Sequence, residues 1–133
     1  MKFLLDTHTF VWTVGNSKRL PRKARNEIQN PESEIFVSAI TFWEIAMKSR
    51  RGTFDLAGLR TIDLLEKARE MGMLLINVDP TEAATIESLV EESHYDPFDR
   101  MLIWQAIQRD LTLVSGDRMF DRFRSDGLKL LWK

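Results

Sequence analysis

Lys2-Phe3-Leu4-Leu5-Asp6-Thr7-His8 is the stretch on which the fold turns, because a short apolar run stops there abruptly at a carboxylate. Phe3, Leu4 and Leu5 leave no polar face, so the run reads as a central strand. A buried strand that ends in Asp6 delivers that side chain to the rim of a sheet, and in open α/β folds ligands bind at the strands' carboxyl ends. What else reaches that rim then decides the chemistry.

Working outward, strands and helices alternate. Residues 9–14 read as a short helix closed by Gly15, and a second helix opens at Pro21 and stops near Gln29, ahead of Asn30-Pro31. Glu34 to Ser38 is a mostly apolar strand, after which Ile40, Trp43 and Met47 recur at helical spacing until Gly52. Residues 53–58 form a loop, and 59–71 a helix with Leu59, Ile62, Leu65 and Ala68 along one face. A third strand covers 73–78. Asp79-Pro80-Thr81-Glu82 then starts a helix with an N-cap, a proline at the first position and an acid at the third, and that helix is expected to fade near Glu92. Asp96-Pro97-Phe98-Asp99 repeats this grammar ahead of a helix to about Arg109. A fourth strand at 111–115, a helical turn around 119–123 and a last strand at 128–132 complete the chain.

Strands separated by helical segments pair in parallel through right-handed crossovers, and runs such as Leu74-Leu75-Ile76 and Leu111-Thr112-Leu113-Val114 suit a sheet covered on both faces. The expected fold is a single domain over 1–133, a three-layer α/β/α sandwich with a central parallel sheet of about five strands. A chain of 133 residues suffices for an ordinary core. With 44% apolar and 29% charged residues, and no apolar run near the roughly 20 residues of a membrane span, the composition is that of a soluble protein. The apolar run before Asp6 is too short for a signal peptide, and the absence of cysteine removes disulfides and thiolate metal sites, so the expected location is cytoplasmic and membrane-free. A formal net charge of −1 provides no global field to steer a polyanion, so nucleic-acid binding has to be local.

Four acids fall at the strands' carboxyl rim. Asp6 ends strand one, Asp117 follows strand four, Asp99 lies in the first turn of the helix leading into strand four, and Glu44 reaches back from the helix after strand two. Gathered carboxylates repel unless they share protons or bind cations, and oxygen ligands select hard cations such as Mg²⁺ or Mn²⁺. The matching chemistry is phosphodiester hydrolysis by water. Each acid also has a structural reading: Glu44 as the third residue of a capping box begun by Thr41, Asp117 as a turn or cap residue, and Asp96 as an N-cap. Asp6 alone shows no turn or capping pattern. Thr7 and Asp96 count as supporting residues around the acids, Arg100 and Arg118 as phosphate contacts. His8 and His94 read as hydrogen-bonded or solvated, and Trp12, Trp43, Trp104 and Trp132 as core.

The motifs Leu4-Leu5-Asp6-Thr7-His8, Trp43-Glu44-Ile45-Ala46, Asp96-Pro97-Phe98-Asp99-Arg100 and Leu113-Val114-Ser115-Gly116-Asp117 resemble, in order and along the whole chain, those of PIN-domain ribonucleases, particularly VapC-type toxins of toxin–antitoxin pairs. The resemblance implies metal binding by Asp6, Glu44, Asp99 and Asp117, with Ser115 supporting water or phosphate. It also implies that strands one and four are neighbours, that Mg²⁺ or Mn²⁺ supports RNA cleavage, that the protein is a homodimer and that a small antitoxin inhibits it. Gly116 departs from the basic or polar residue commoner before the fourth acid. Competing readings are a catalytically silent module of the same fold, a nuclease of this fold outside toxin–antitoxin biology, and a metal phosphatase. Asp6-Thr7-His8 speaks against the phosphatase, for it lacks the second acid two residues on.

Overall fold

A computed structural model describes residues 1–52 and 54–133; Thr53, in the expected loop at 53–58, lies outside the described residues. β1 (Lys2–Leu5), β2 (Glu34–Ser38), β3 (Leu74–Ile76), β4 (Thr112–Val114) and β5 (Lys129–Leu131) form one parallel sheet in the order β3-β2-β1-β4-β5. The helices α1 (Thr7–Val14), α2 (Arg22–Gln29), α3 (Ala39–Arg50), α4 (Thr61–Glu70), α5 (Pro80–Thr85) and α6 (Pro97–Gln108) cover it, joined by 3₁₀ turns at Ile86–Ser88 and Arg118–Asp126.

The sandwich follows from side-chain alternation along β1 and β4. Phe3, Leu5 and Val114 enter one core with Phe10, Ala24, Ile45, Leu64 and Ala68, whereas Leu4 and Leu113 enter a second with Leu102, Ile103, Phe120 and Phe123. Each of the buried Phe, Leu, Ile and Val side chains among them stabilises the fold by about 1.5–3 kcal/mol. β1 therefore sits as firmly as any element, and the residue after it inherits that rigidity. From β1 the chain steps outward through β2 to β3, then crosses to the other side of β1 as β4. The pairing Leu5↔Val114 makes the β1/β4 boundary the topological switch point, where a crevice opens beyond the strand ends. Among the described residues no helix is long and apolar enough to cross a membrane.

Several elements depart from expectation. β3 is not covered on both faces: Leu74 and Leu75 are 43% and 39% exposed, because β3 stands at the sheet edge and pairs only with β2. Its three-residue length keeps that edge a poor template for further pairing. α4 starts at Thr61 rather than at 59, since the Asp63 carboxylate accepts the Arg60 N–H at 2.8 Å and fixes the first turn there. Its buried stripe is accordingly Leu64 and Ala68, with Leu59 and Ile62 exposed. α5 ends at Thr85 and tightens into the 3₁₀ turn well before Glu92. Of the tryptophans only Trp104 is core; Trp12 and Trp132 are half-buried, and Trp43 is 57% exposed.

Candidate active site

The crevice at the β1/β4 boundary is a cleft of about 540 Å³ whose walls include Asp6, Glu44, Asp99 and Asp117. Each acid arrives on a different segment. Asp6 follows β1 and is buried, with one carboxylate oxygen accepting the Thr9 N–H at 2.8 Å and the Ser115 hydroxyl engaging it as well. Asp6 is thus the N-cap of α1, which starts at Thr7 instead of residue 9, and the expectation that it has no capping role is wrong. Thr9 and Met119 show the same economy at the two strand ends: Thr9 Oγ1 donates to Val114 O at 3.0 Å, and Asp117 caps the following turn by accepting the Met119 N–H at 2.9 Å. Ser115 Oγ, buried between them, also accepts the Asp117 N–H at 3.1 Å. Capping holds these two carboxylates in place without closing them off from the cleft.

Glu44 is buried on α3, and its capping-box reading fails. Ser38 caps α3, while Glu44 Oε1 accepts a hydrogen bond from Thr7 Oγ1 at 2.5 Å and its other oxygen is paired with the Lys48 ammonium. Lys48 Nζ also lies 3.7 Å from Asp96 Oδ2. Burial works against the Lys48 charge, but Glu44, Asp96 and Asp99 outweigh it and hold the ammonium above its usual range. Asp96 caps α6 by accepting the Asp99 N–H at 3.0 Å, which fixes where Asp99 projects.

Asp99 carries a raised carboxyl. Burial pushes its carboxyl up to about 6; the His94 hydrogen bond opposes that rise, and the charges of Asp96 and Glu44 add to it. His94 Nε2 lies 2.7 Å from Asp99 Oδ2, and His94 is itself seated edge-on against Phe120. Burial likewise raises Asp6, against hydrogen bonds from Ser115 and Thr9. Two trios, His94–Asp99–Asp117 and Glu44–Asp96–Asp99, each bring one candidate ligand atom per residue within 4.8 Å of the others. Asp6 is in neither trio. Asp99 belongs to both and is the centre of the cluster.

Arg100, expected as a phosphate contact, is engaged within the fold. Its guanidinium donates to Glu91 O at 2.8 Å and His94 O at 3.0 Å and lies over the Phe123 ring, so it ties down the segment that carries His94. Arg118 is exposed beside Asp117. Gly116 has a steric reason of its own: a Cβ there would lie 2.7 Å from Trp132 Cε2. Sequence reasoning missed the engagement of His94 and Lys48. Lys48 was findable, since residues four apart on a helix are neighbours. His94 reaches Asp99 across a loop, which no periodic pattern announces.

A family model for the PIN domain matches residues 3–125, which span β1 and all four acids. The chain belongs to the PIN domain family. This PIN domain is 28% identical over 129 residues, 97% of either chain, to the ribonuclease VapC22 of Mycobacterium tuberculosis. Its fold matches the VapBC2 structure of Rickettsia felis, determined with a DNA fragment from their promoter, at a TM-score of 0.71 and 17% identity over the whole of both chains. The FitAcB structure of Neisseria gonorrhoeae follows at 0.62 and 20%, covering 97% of this PIN domain and 96% of that chain. β1 beside β4, with Asp6 and Asp117 at adjacent strand ends, is the arrangement that the sequence resemblance implied.

Proposed function

We propose that this PIN domain is a metal-dependent endoribonuclease, the toxin of a toxin–antitoxin pair, acting in the cytoplasm. The observation that carries the reading is the convergence of Asp6, Glu44, Asp99 and Asp117 from four chain segments onto one cleft. The donor set fits a hard divalent cation: carboxylate oxygens dominate, two trios have their ligand atoms close together, and the Asp99 carboxyl, raised first by burial and further by the charges of Asp96 and Glu44, sits where a cation would favour its ionised form. Asp6, Glu44, Asp99 and Asp117 would hold Mg²⁺ or Mn²⁺, which supplies positive charge to the scissile phosphate and makes water a better nucleophile at neutral pH.

The chain's own groups do the rest. Thr7 orients Glu44, Ser115 orients both Asp6 and Asp117, and Asp96 sets the first turn that presents Asp99. His94 hydrogen-bonds Asp99 and fixes the direction in which that carboxylate faces the cleft. Arg118, exposed next to Asp117, would contact an RNA phosphate. A small antitoxin and a second copy of the chain complete the set of partners. The relationship to VapC22 and the VapBC neighbours support the antitoxin, and an apolar groove of about 670 Å³ beside the exposed Trp43 and Tyr95 offers it a surface.

The test is cleavage of an RNA panel with Mg²⁺ or Mn²⁺. Activity that EDTA abolishes, and that Asp6→Asn and Asp99→Asn each remove, is expected; cleavage that survives EDTA or either substitution overturns the reading. Co-expression with the product of the neighbouring open reading frame should yield a complex that no longer cleaves.

A further inference from the structure

The cleft that gathers the acids has an aromatic end. Trp12 on α1 and Trp132 beyond β5 bring their ring centroids to 5.9 Å with planes 44° apart. His8 lies 5.8 Å from the Trp12 ring and 5.4 Å from that of Phe54, and the Arg19 guanidinium stands 5.9 Å over Trp12. Trp12, Trp132, His8 and Arg19 share the cleft walls with the four acids. Trp104 shows what a core tryptophan looks like here: it is buried, with its indole N–H donated to Thr85 Oγ1 at 3.2 Å. Trp12 and Trp132 are half-buried: Trp132 packs one side against the first core and lines the cleft with the rest, and Gly116 leaves room for its ring to lie against the backbone next to Asp117.

Resting on the ribonuclease reading, we infer that Trp12 and Trp132 form a base-stacking subsite that takes one unpaired nucleobase of the RNA, with Arg19 contacting the phosphate next to it. Aromatic faces bind any base by stacking, and a guanidinium already placed over such a face supplies the charge. That local cation matters because a net charge of −1 and a cluster of carboxylates provide no long-range attraction for an RNA strand. Bases within a duplex have both faces covered by their neighbours, so the subsite selects a loop, a bulge or a flipped nucleotide. A cleft of about 540 Å³ is in the range of small-ligand pockets and suits one nucleotide better than a helix. The base seated there fixes which phosphodiester reaches the acids.

Binding, rather than cleavage, tests this. The probe is a short fluorescein-labelled single-stranded RNA, measured by anisotropy with Mg²⁺ in the Asp99→Asn background, alongside copies carrying one abasic nucleotide at each position in turn. Trp12→Leu is expected to weaken binding about tenfold and Trp12→Phe less than about threefold, as stacking requires. One abasic position should cost the Trp12-containing protein about tenfold and cost Trp12→Leu little, because the base and the ring act as a pair. Arg19→Gln, at an exposed site that leaves the fold alone, should lower the salt slope by about one. Equal affinity for Trp12→Leu and its parent, abasic penalties unchanged by it, or no RNA binding by the parent each overturn the subsite. The ribonuclease reading stands or falls separately, on cleavage by the unsubstituted protein.

Discussion

Asp79-Pro80-Thr81-Glu82 and Asp96-Pro97-Phe98-Asp99 start α5 and α6 with the same chemistry: an aspartate cap, a proline in the first turn and an acid three residues after the cap. At α5 the acid completes the box. Glu82 Oε1 accepts the Asp79 N–H at 3.0 Å, and the carboxylate is further met by Arg109, at 2.7 Å, and by Gln105. Burial opposes the Glu82 charge, yet Arg109, the Asp79 N–H and Gln105 together hold the carboxyl below its ordinary value. At α6 the acid is one methylene shorter and turns to His94 and the cleft, among Asp96 and Glu44, with its carboxyl raised to about 6. One helix start satisfies its charge and stabilises the fold; the other leaves its charge in need of a cation. A carboxylate's partners together with its burial, and not its place in a motif, separate a structural acid from a working one.

The contrast breaks most sharply under paired substitution. Asp99→Asn should reduce RNA cleavage by about 100-fold or more in initial-rate assays, as expected when a ligand of a catalytic ion is lost, whereas Glu82→Gln should leave the rate per folded molecule within about threefold. Glu82→Gln should instead destabilise the protein by about 2 kcal/mol, because Arg109 loses its charged partner, lowering the melting midpoint by roughly 5–10 °C.

Acid titration sharpens the same point. A carboxyl held low in the folded state contributes stability above its unfolded value of 4.5 and loses it as pH falls through the folded one, so urea midpoints of the parent should drop more steeply below pH 4.5 than those of Glu82→Gln. Asp99 has the opposite sign: its raised carboxyl costs the metal-free fold stability as pH climbs from 3.8 through about 6. In EDTA at pH 8, Asp99→Asn should therefore be more stable than its parent by about 1 kcal/mol. The smallest effect belongs to Glu82→Asp, which can still accept the cap N–H, as Asp63 does at α4, but draws the carboxylate back from Arg109 and Gln105, at about 0.5–1 kcal/mol in the same urea series.

Legibility in the sequence tracked how local each cause was. The strands at 2–5 and 34–38 were readable because β1 and β2 are short apolar runs bounded by polar or turn residues, and the caps at Asp79 and Asp96 because capping acts within four residues. Topology alone sent the four acids to one rim, and the structure places all four around one cleft. The exposure of Leu74 and Leu75 was not readable, since it depends on which strand is at the sheet edge. Nor was the position of Trp12 and Trp132, which share a wall only because α1 and the segment after β5 meet across the fold. The partners of Arg100 were unreadable for the same reason: its neighbour in sequence is Asp99, but it donates to the carbonyls of the preceding loop.

The bond from Thr9 Oγ1 to Val114 O joins groups 105 residues apart. A ribosome that has made β1 has therefore made half of a crevice whose other wall is still untranslated. Through most of synthesis Asp6 has no Asp117 opposite it, and local helices gain nothing from the missing strand. A cleft divided this way across its gene assembles only once β4 has been made, so a product truncated before β4 carries the acid at β1 without the edge that completes the site.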